Sequence, residues 1–357
     1  MQTNQFMKEI QCKNYPIYIN NWAAFAQFTE SISPSNVYVL VDENTEKYCL
    51  LHLLENLHLE AQIIRIPSGE QNKTIQTCQH VWTKLMQYGA DRHSLLINLG
   101  GGVIGDLGGF CAATYMRGIR FIQVPTTLLS QVDASVGGKL GVDHMGFKNM
   151  VGLIQDPSAV CIFTEFLQTL PFEQMRSGYA ELLKHGLIAD KKAWANLSGK
   201  MDINRLDFEE LVYESVLIKK NVTEQDPYEK GLRKILNFGH TIGHAVESYW
   251  MDSSTPLLHG EAIAIGMVSE AFLSYRVGKI SESDLFDIRN SIMRIYGHHP
   301  KYVKPSTDLI KIMRGDKKNL SGNIRFALLE SVGQACYDVQ IRPEVIEESF
   351  VFYKEKI

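Results

Sequence analysis

The sequence predicts an α/β domain built on a parallel sheet, followed by a mainly helical domain. Three observations carry this. Short, continuously apolar, β-rich runs alternate with helical stretches through the first half; one of those runs ends directly in a glycine-rich turn; and beyond about Glu173 long amphipathic stretches replace the β-branched runs. A length of 357 residues suits two domains.

Taken in order, Val37-Tyr38-Val39-Leu40-Val41 reads as a buried strand and is followed by a helix through about Leu57. Ala61–Ile66 is a second strand, and Thr74–Gly89 a helix with apolar residues at Ile75, Val81, Trp82 and Leu85. Ser94–Leu99 is a third strand, running straight into glycine. The later helices are Phe208–Val222, Gly231–Trp250, Glu261–Val277 and Ser283–Tyr296, and Asn323–Leu329 is the one strand expected in the second half. The boundary falls between Leu170-Pro171 and Gly178, giving domains of residues 1–174 and 175–357.

Hydrophobic residues make up 45% of the chain and charged residues 21%, with 36 Lys and Arg against 40 Asp and Glu for a net charge of −4. That balance gives no global attraction to nucleic acid or to an anionic membrane. No run of about 18 apolar residues predicts a membrane span. Six scattered cysteines, without a CxxC pair, read as reduced core residues. With no secretory leader pattern at the start, a cytoplasmic protein is expected.

Gly100-Gly101-Gly102-Val103-Ile104-Gly105-Asp106 contains G-x-G-x-x-G between a strand and a helix. Backbone without Cβ approaches a diphosphate closely, and the helix start offers free N–H groups. The usual dinucleotide fingerprint also has an acid about 20 residues further on. Gln123-Val124-Pro125 stands there instead, so Asp42, at the end of the first strong strand, is the candidate for the ribose hydroxyls. Tight strand-to-helix packing without a ligand is the plainer alternative.

Arg233, Asn237, His240 and His244 are spaced 4, 3 and 4 apart, which sets them on one face of a helix. His240 and His244 have the spacing of a zinc pair, but Thr241 stands where a metalloprotease has its glutamate base. Glu181 with His185, and His259-Gly260-Glu261, add further carboxylates and imidazoles. Two imidazoles and a carboxylate suffice to hold a catalytic zinc with an open position; capping or core histidines are the alternative. Arg117, Lys139, Lys148, Lys219 and Arg233 lie outside i, i+4 ladders with acids, which suggests an anionic ligand or, more plainly, scattered surface charge.

Ten blocks in order resemble the 3-dehydroquinate synthase family over almost the whole chain. They are Ser68–Lys73, Gly100–Gly109, Tyr115–Gly118, Pro125–Leu128, Val132–Lys139, Lys148-Asn149, Ala180–His185, Leu236–His244, His259–Glu261 and Asp316–Lys318. The resemblance implies a Rossmann-like NAD-binding domain, a helical metal- and substrate-binding domain and a homodimer. It also implies a lyase of the shikimate pathway that converts the phosphorylated sugar acid DAHP into 3-dehydroquinate and phosphate.

By the same resemblance the metal, zinc or cobalt, is held by Glu181, His240 and His259, which moves His244 to proton transfer or hydrogen bonding beside the substrate. NAD is held by Asp42, Ser68, Glu70, Lys73, Gly102, Gly105, Asp106, Thr126, Thr127, Lys139, Lys148 and the Phe166–Thr169 segment. The substrate meets Asp133, Lys139, Asn149, Lys219, Glu229, Arg233, Asn237, His244 and Lys317 or Lys318, while Arg117 reaches a phosphate in the neighbouring subunit. A carboxylate and a phosphate on one substrate give the unladdered cations their reason.

The chemistry that the resemblance implies is transient oxidation of the C5 alcohol by NAD, which acidifies the adjacent C–H, then elimination of phosphate, return of the hydride, ring opening and an intramolecular aldol that closes the carbocycle. The chain departs from the family at Leu140, Gly141 and Asp143, where Thr, Ala and Asn are usual, and at Pro227, which replaces an acid. Competing readings are another sugar-phosphate cyclase, a metal-dependent polyol dehydrogenase, and a non-catalytic phosphate-sensing module.

Overall fold

The computed structural model describes residues 7–145, 147–200, 202–251, 253–315 and 324–355. Two compact units divide the chain: Met1–Pro171 with Asp207–Glu224, and Phe172–Leu206 with Gln225–Ile357.

In the first unit, strands β1 (Lys8–Gln11) and β2 (Pro16–Ile19) form an antiparallel pair ahead of helix α1 (Trp22–Ile32). Next come β3 (Val37–Val41), α2 (Glu43–Thr45), a π-helical turn Glu46–Leu50 and α3 (Leu51–Asn56). They are followed by β4 (Ala61–Arg65), α4 (Ile75–Gln87), β5 (Leu95–Gly100), α5 (Gly102–Thr114) and β6 (Arg120–Pro125). A hairpin of β7 (Lys139–His144) and β8 (Phe147–Ile154) precedes β9 (Ala159–Ile162).

The seven-stranded sheet has the order β1-β2-β9-β6-β5-β3-β4, parallel except for β1. Val37, Val39, Val41, Leu95, Ile97 and Leu99 enter one core. Tyr38, Leu40 and Leu96, between them in sequence, enter the other. Both faces being covered, β3 and β5 are buried at every position instead of alternating. Strand order reverses between β3 and β5, where such sheets bind ligands outside the carboxyl ends of the strands.

Helix α6 (Phe172–Ala189) and α7 (Lys191–Ser198) open the second unit, and α8 (Phe208–Gln225) returns the chain to the first. Helices α9 (His240–Trp250), α10 (His259–Arg276), α11 (Glu282–Tyr296), α12 (Ser306–Gly315) and α13 (Pro343–Lys354) complete the second with a hairpin, β10 (Arg325–Ser331) and β11 (Gln334–Gln340).

Three expectations need correcting. Residues 207–224 belong with the first unit, although they follow the expected boundary. Strand β11 was not expected, because its burial does not alternate with period 2 and so leaves no strand pattern.

The third correction concerns the Gly231–Trp250 helix, which is in fact two pieces. A 3-10 segment, Leu232–Asn237, ends at Phe238, Gly239 turns with φ of +79°, and α9 starts at His240. The break lets α9 and α10 touch backbone to backbone: a Cβ on Gly266 would lie 1.9 Å from the Gly239 carbonyl oxygen. Gly239 brings no capping side chain, so the buried Glu270 of α10 caps α9, accepting from Gly239 N at 2.6 Å and Ile242 N at 3.0 Å.

Candidate active site

Glu181, His240 and His259 come from three helices, α6, α9 and α10, and converge in the second unit. Glu181 Oε1 lies 3.5 Å from His240 Nε2 and 3.3 Å from His259 Nε2. One atom of His240, His244 and His259 each can be chosen so that all lie within 4.8 Å of one another. Small residues make the convergence geometrically available. A Cβ on Gly260 would stand 2.1 Å from the Ser177 carbonyl oxygen, and Gly260 N donates to Ser177 Oγ at 2.9 Å, so α10 begins pressed against α6. Glu261 is a cap, accepting from Leu258 N at 3.0 Å and pairing with Arg176.

The hydrogen-bond pattern tests whether this cluster suits a cation. His240 Nδ1 faces the Phe238 carbonyl at 3.1 Å, and His259 Nδ1 faces Glu247 Oε2 at 3.4 Å; both partners only accept, so both Nδ1 atoms carry the proton. In the neutral rings both Nε2 lone pairs then point at Glu181 Oε1, itself an acceptor. Acceptor against acceptor is an arrangement that a shared cation resolves, and two nitrogens with one oxygen suit zinc or cobalt. The residues fit a divalent metal.

Charge agrees with geometry. Burial opposes ionisation of Glu181, but Lys184 and His240 outweigh it and hold the carboxyl well below its usual range; Lys184 pairs with Oε2, leaving Oε1 toward the imidazoles. Burial and Lys184 hold His240 below the ordinary histidine value. Burial works against a proton on His259, yet Glu247 and Glu181 raise its pKa to about 10 in the metal-free chain; without a metal its Nε2–H therefore donates to Glu181, and a bound cation takes the place of that proton.

The loop before α9 gathers the expected substrate residues of this unit. Asp226 Oδ1 and Oδ2 accept from the backbone N–H groups of Lys230 at 2.9 Å, Gly231 at 2.7 Å and Arg233 at 3.1 Å. These donors hold its carboxyl below the usual range against the opposing effect of burial. Asn237 Nδ2 donates to Glu229 Oε1 at 2.6 Å, and Arg233 Nη1 donates to the Pro227 carbonyl at 2.7 Å. Residue 227 therefore contributes backbone, which any side chain would supply. The break at Gly239 puts Arg233 and Asn237 on a different element from His240 and His244, so the stripe is not one helical face.

In the first unit the expected nucleotide residues line the carboxyl ends of the strands. Asp42 follows β3 and caps α2, accepting from Asn44 N at 3.0 Å and Thr45 N at 2.8 Å. Ser68 donates from N and Oγ to Glu43 at 2.9 and 2.7 Å. Gly102 and Gly105 lie in the first turn of α5, and Thr126-Thr127 follow β6, with Thr126 N donating to the Gly100 carbonyl at 3.0 Å. Gln123, standing where the common fingerprint has its acid, is consumed within the fold by donating to the Gly105 carbonyl at 2.9 Å. Phe166 is buried among Trp22 and Phe163, and Thr169 ends the same 3-10 segment.

Lys73 is buried and donates to Asp106 and Asn149, each at 2.7 Å, with Glu70 at 3.8 Å; burial opposes its charge, but Asp106 and Glu70 raise its pKa. Lys219 pairs with Asp133 Oδ1 at 2.7 Å, which corrects its reading as a cation without an acid. Lys139 is exposed at the start of β7, Lys148 half-buried on β8, and Arg117 exposed. Lys317 and Lys318 lie outside the described residues. Glu247, Lys184 and Glu270 were missed by sequence reasoning. The signals were there: Glu247 is three residues past His244 on the same helix, and Glu270 is an acid inside an apolar helix.

A parallel sheet with a glycine-rich strand-to-helix turn, and a helical unit whose imidazoles and carboxylate suit a divalent cation, are the parts of a nucleotide- and metal-dependent enzyme. Family models described as 3-dehydroquinate synthase N-terminal and C-terminal match residues 63–177 and 178–319. A 3-dehydroquinate synthase from Parabacteroides distasonis is 41% identical over 336 residues, 92% of this chain and 94% of the relative. The chain belongs to the 3-dehydroquinate synthase family.

Among solved structures, a 2-deoxy-scyllo-inosose synthase complexed with carbaglucose-6-phosphate, NAD+ and Co2+ shares the fold, with TM-score 0.83 and 24% identity over 97% of this chain and 99% of that one. A 2-epi-5-epi-valiolone synthase from Streptomyces hygroscopicus subsp. jinggangensis 5008, with NAD+ and Zn2+ bound, shares it with TM-score 0.82 and 24% identity over 98% and 99%. Among the described residues no helix is long and apolar enough to cross a membrane.

Proposed function

We propose that this chain is a 3-dehydroquinate synthase, converting DAHP to 3-dehydroquinate and phosphate with NAD and a divalent metal, as a homodimer. The observation that carries the reading is the approach of His240 and His259 Nε2 to one oxygen of Glu181, in a chain of this family. Glu181, His240 and His259 hold the metal. When bound, NAD supplies reversible hydride removal at the substrate's C5 alcohol, and the cation supplies Lewis-acid polarisation of that hydroxyl.

The chain's own residues bind and orient. In the first unit, Asp42 serves the ribose and the Gly102–Asp106 turn the diphosphate, with Ser68, Glu70, Lys73, Thr126, Thr127, Lys139, Lys148 and the segment of Phe166 and Thr169 completing the cofactor contacts. Asp133, Lys139, Asn149 and Lys219 are that unit's substrate contacts. In the second unit, Glu229, Arg233 and Asn237 hold the polar end of the substrate, and His244 holds or passes a proton at the reacting hydroxyl. Lys317 or Lys318 adds a cation, and Arg117 serves the neighbouring subunit's phosphate. The substrate's own phosphate can accept the proton as it leaves, so orientation and electrostatics are the protein's main contributions.

Incubation with DAHP, catalytic NAD and zinc is expected to release one phosphate per 3-dehydroquinate with no lasting NADH absorbance. No phosphate released by metal-loaded protein would overturn the assignment, and net NADH formed with glycerol-like alcohols would replace it with a polyol dehydrogenase.

A further inference from the structure

We propose that Glu247 is a positioning residue for the metal centre: its carboxylate accepts a hydrogen bond from His259 Nδ1–H and so turns the Nε2 lone pair onto the point shared with Glu181 and His240. The inference rests on the metal reading above and extends it to a residue outside the ligand set.

The two imidazoles are held differently. His240 is the first residue of α9, and its Nδ1 is taken by the Phe238 carbonyl two residues back, a contact written into the local backbone turn. His259 is the first residue of α10, where its cap residue Leu258 has no side-chain acceptor, and its ring remains a quarter exposed. Rotation about its side chain has to be stopped by something else. Glu247 Oε2, at 3.4 Å from Nδ1, is the contact opposite the 3.3 Å approach of Nε2 to Glu181. The ring thus lies between two carboxylates, one for each nitrogen.

Glu247 is itself 7% exposed and set among the buried Ala245, Val246 and Ile242. A carboxylate in such surroundings needs a polar partner, and the imidazole N–H is one. Its separation from His240 is seven residues, two helical turns, so α9 carries a ligand and the carboxylate that aims the ligand from the next helix. A carboxylate behind an imidazole fixes its tautomer and raises its donor strength, and loss of such a partner costs 10- to 100-fold in metal affinity in other sites.

The test uses the whole chain and the metal alone. Cobalt(II) binding is followed by its visible absorption and by competition with a chelator, for wild type, E247A and E247Q, with E181A and H240A as ligand controls. E247A is expected to bind cobalt about 10- to 100-fold more weakly, with a shifted visible band. E247Q keeps an amide oxygen that can accept from Nδ1, so it is expected to recover most of the affinity and the band position. Thermal melting checks that each variant is folded; should E247A not fold, E247Q must show the smaller loss and a measurable band shift on its own.

Wild-type affinity and spectrum in both Glu247 variants would overturn the positioning role while leaving the metal site standing. So would weaker binding with the band unmoved in both, which marks a distant charge effect. A wild type that holds no cobalt, or ligand controls that hold it as well as wild type, would overturn the metal reading and this inference with it.

Discussion

Asn149 has φ of +51°, a left-handed conformation that non-glycine residues adopt only when held, and its neighbours hold it. Asp143 Oδ1 accepts its backbone N–H at 2.7 Å, Lys73 Nζ donates to its side-chain oxygen at 2.7 Å, and Asp143 N donates to the Lys73 carbonyl at 2.8 Å. Asp143 is one of the residues at which the chain departs from its family, and its oxygen keeps the acceptor that an asparagine would offer there. Leu140, another departure, enters the core over Gly109, where a Cβ would lie 2.3 Å from its Cδ2. D143A is therefore expected to raise KM for DAHP about tenfold, the equivalent of about 1.4 kcal/mol, with kcat little changed and D143N close to wild type. Steady-state phosphate release reads this; equal KM in D143A and wild type would show that Asn149 needs no such support. Sequence exposed the departure but not the contact, since Asp143 on β7 and Lys73, just ahead of α4, are distant in the chain.

At the scale of elements, the strands and most helices were legible because their patterns are local. The fully buried Val37–Val41 and Leu95–Leu99 runs, apolar except at Asn98, follow from cover on both faces, and α10 is nearly all buried. What was not legible is how elements approach each other: the break at Gly239 and the seat of α10 on α6 depend on glycines whose partners are distant in sequence. Gly260 makes this testable. An added methyl at 2.1 Å from the Ser177 carbonyl oxygen and 2.6 Å from Ser177 Cα meets backbone on α6, which cannot rotate away. G260A is expected to cost about 1–3 kcal/mol and, by pushing His259 away from Glu181, to lose zinc in a metal assay. G199A is the control: nothing lies within 4 Å of its Cβ and its φ of −86° is ordinary, so it should melt near wild type and keep its zinc. Zinc retained at full occupancy in G260A would mean the α6–α10 approach does not set the ligands.

For the whole molecule, the proposed homodimer makes a prediction that no single chain can satisfy. Arg117 is exposed in the 3-10 turn Tyr115–Arg117, its φ of +67° following that of Met116 at +50°, so two successive left-handed residues shape the turn that carries it. Such a backbone is costly to maintain, and in the proposed homodimer it is what would present Arg117 to the neighbouring subunit's site. Glu181, in contrast, is the proposed ligand of its own chain's metal. R117A and E181A homodimers should then each be inactive, the first for want of a phosphate contact at both sites and the second for want of a metal ligand at both. After subunit exchange, a hybrid dimer holds one site that has its own Glu181 and receives the partner's Arg117, and one site that lacks both. Random exchange of equal amounts makes about half the dimers hybrid, so about a quarter of wild-type activity should return on mixing. If Arg117 instead served its own chain's site, every site in the mixture would lack one group or the other, and activity would stay at the level of the separate variants.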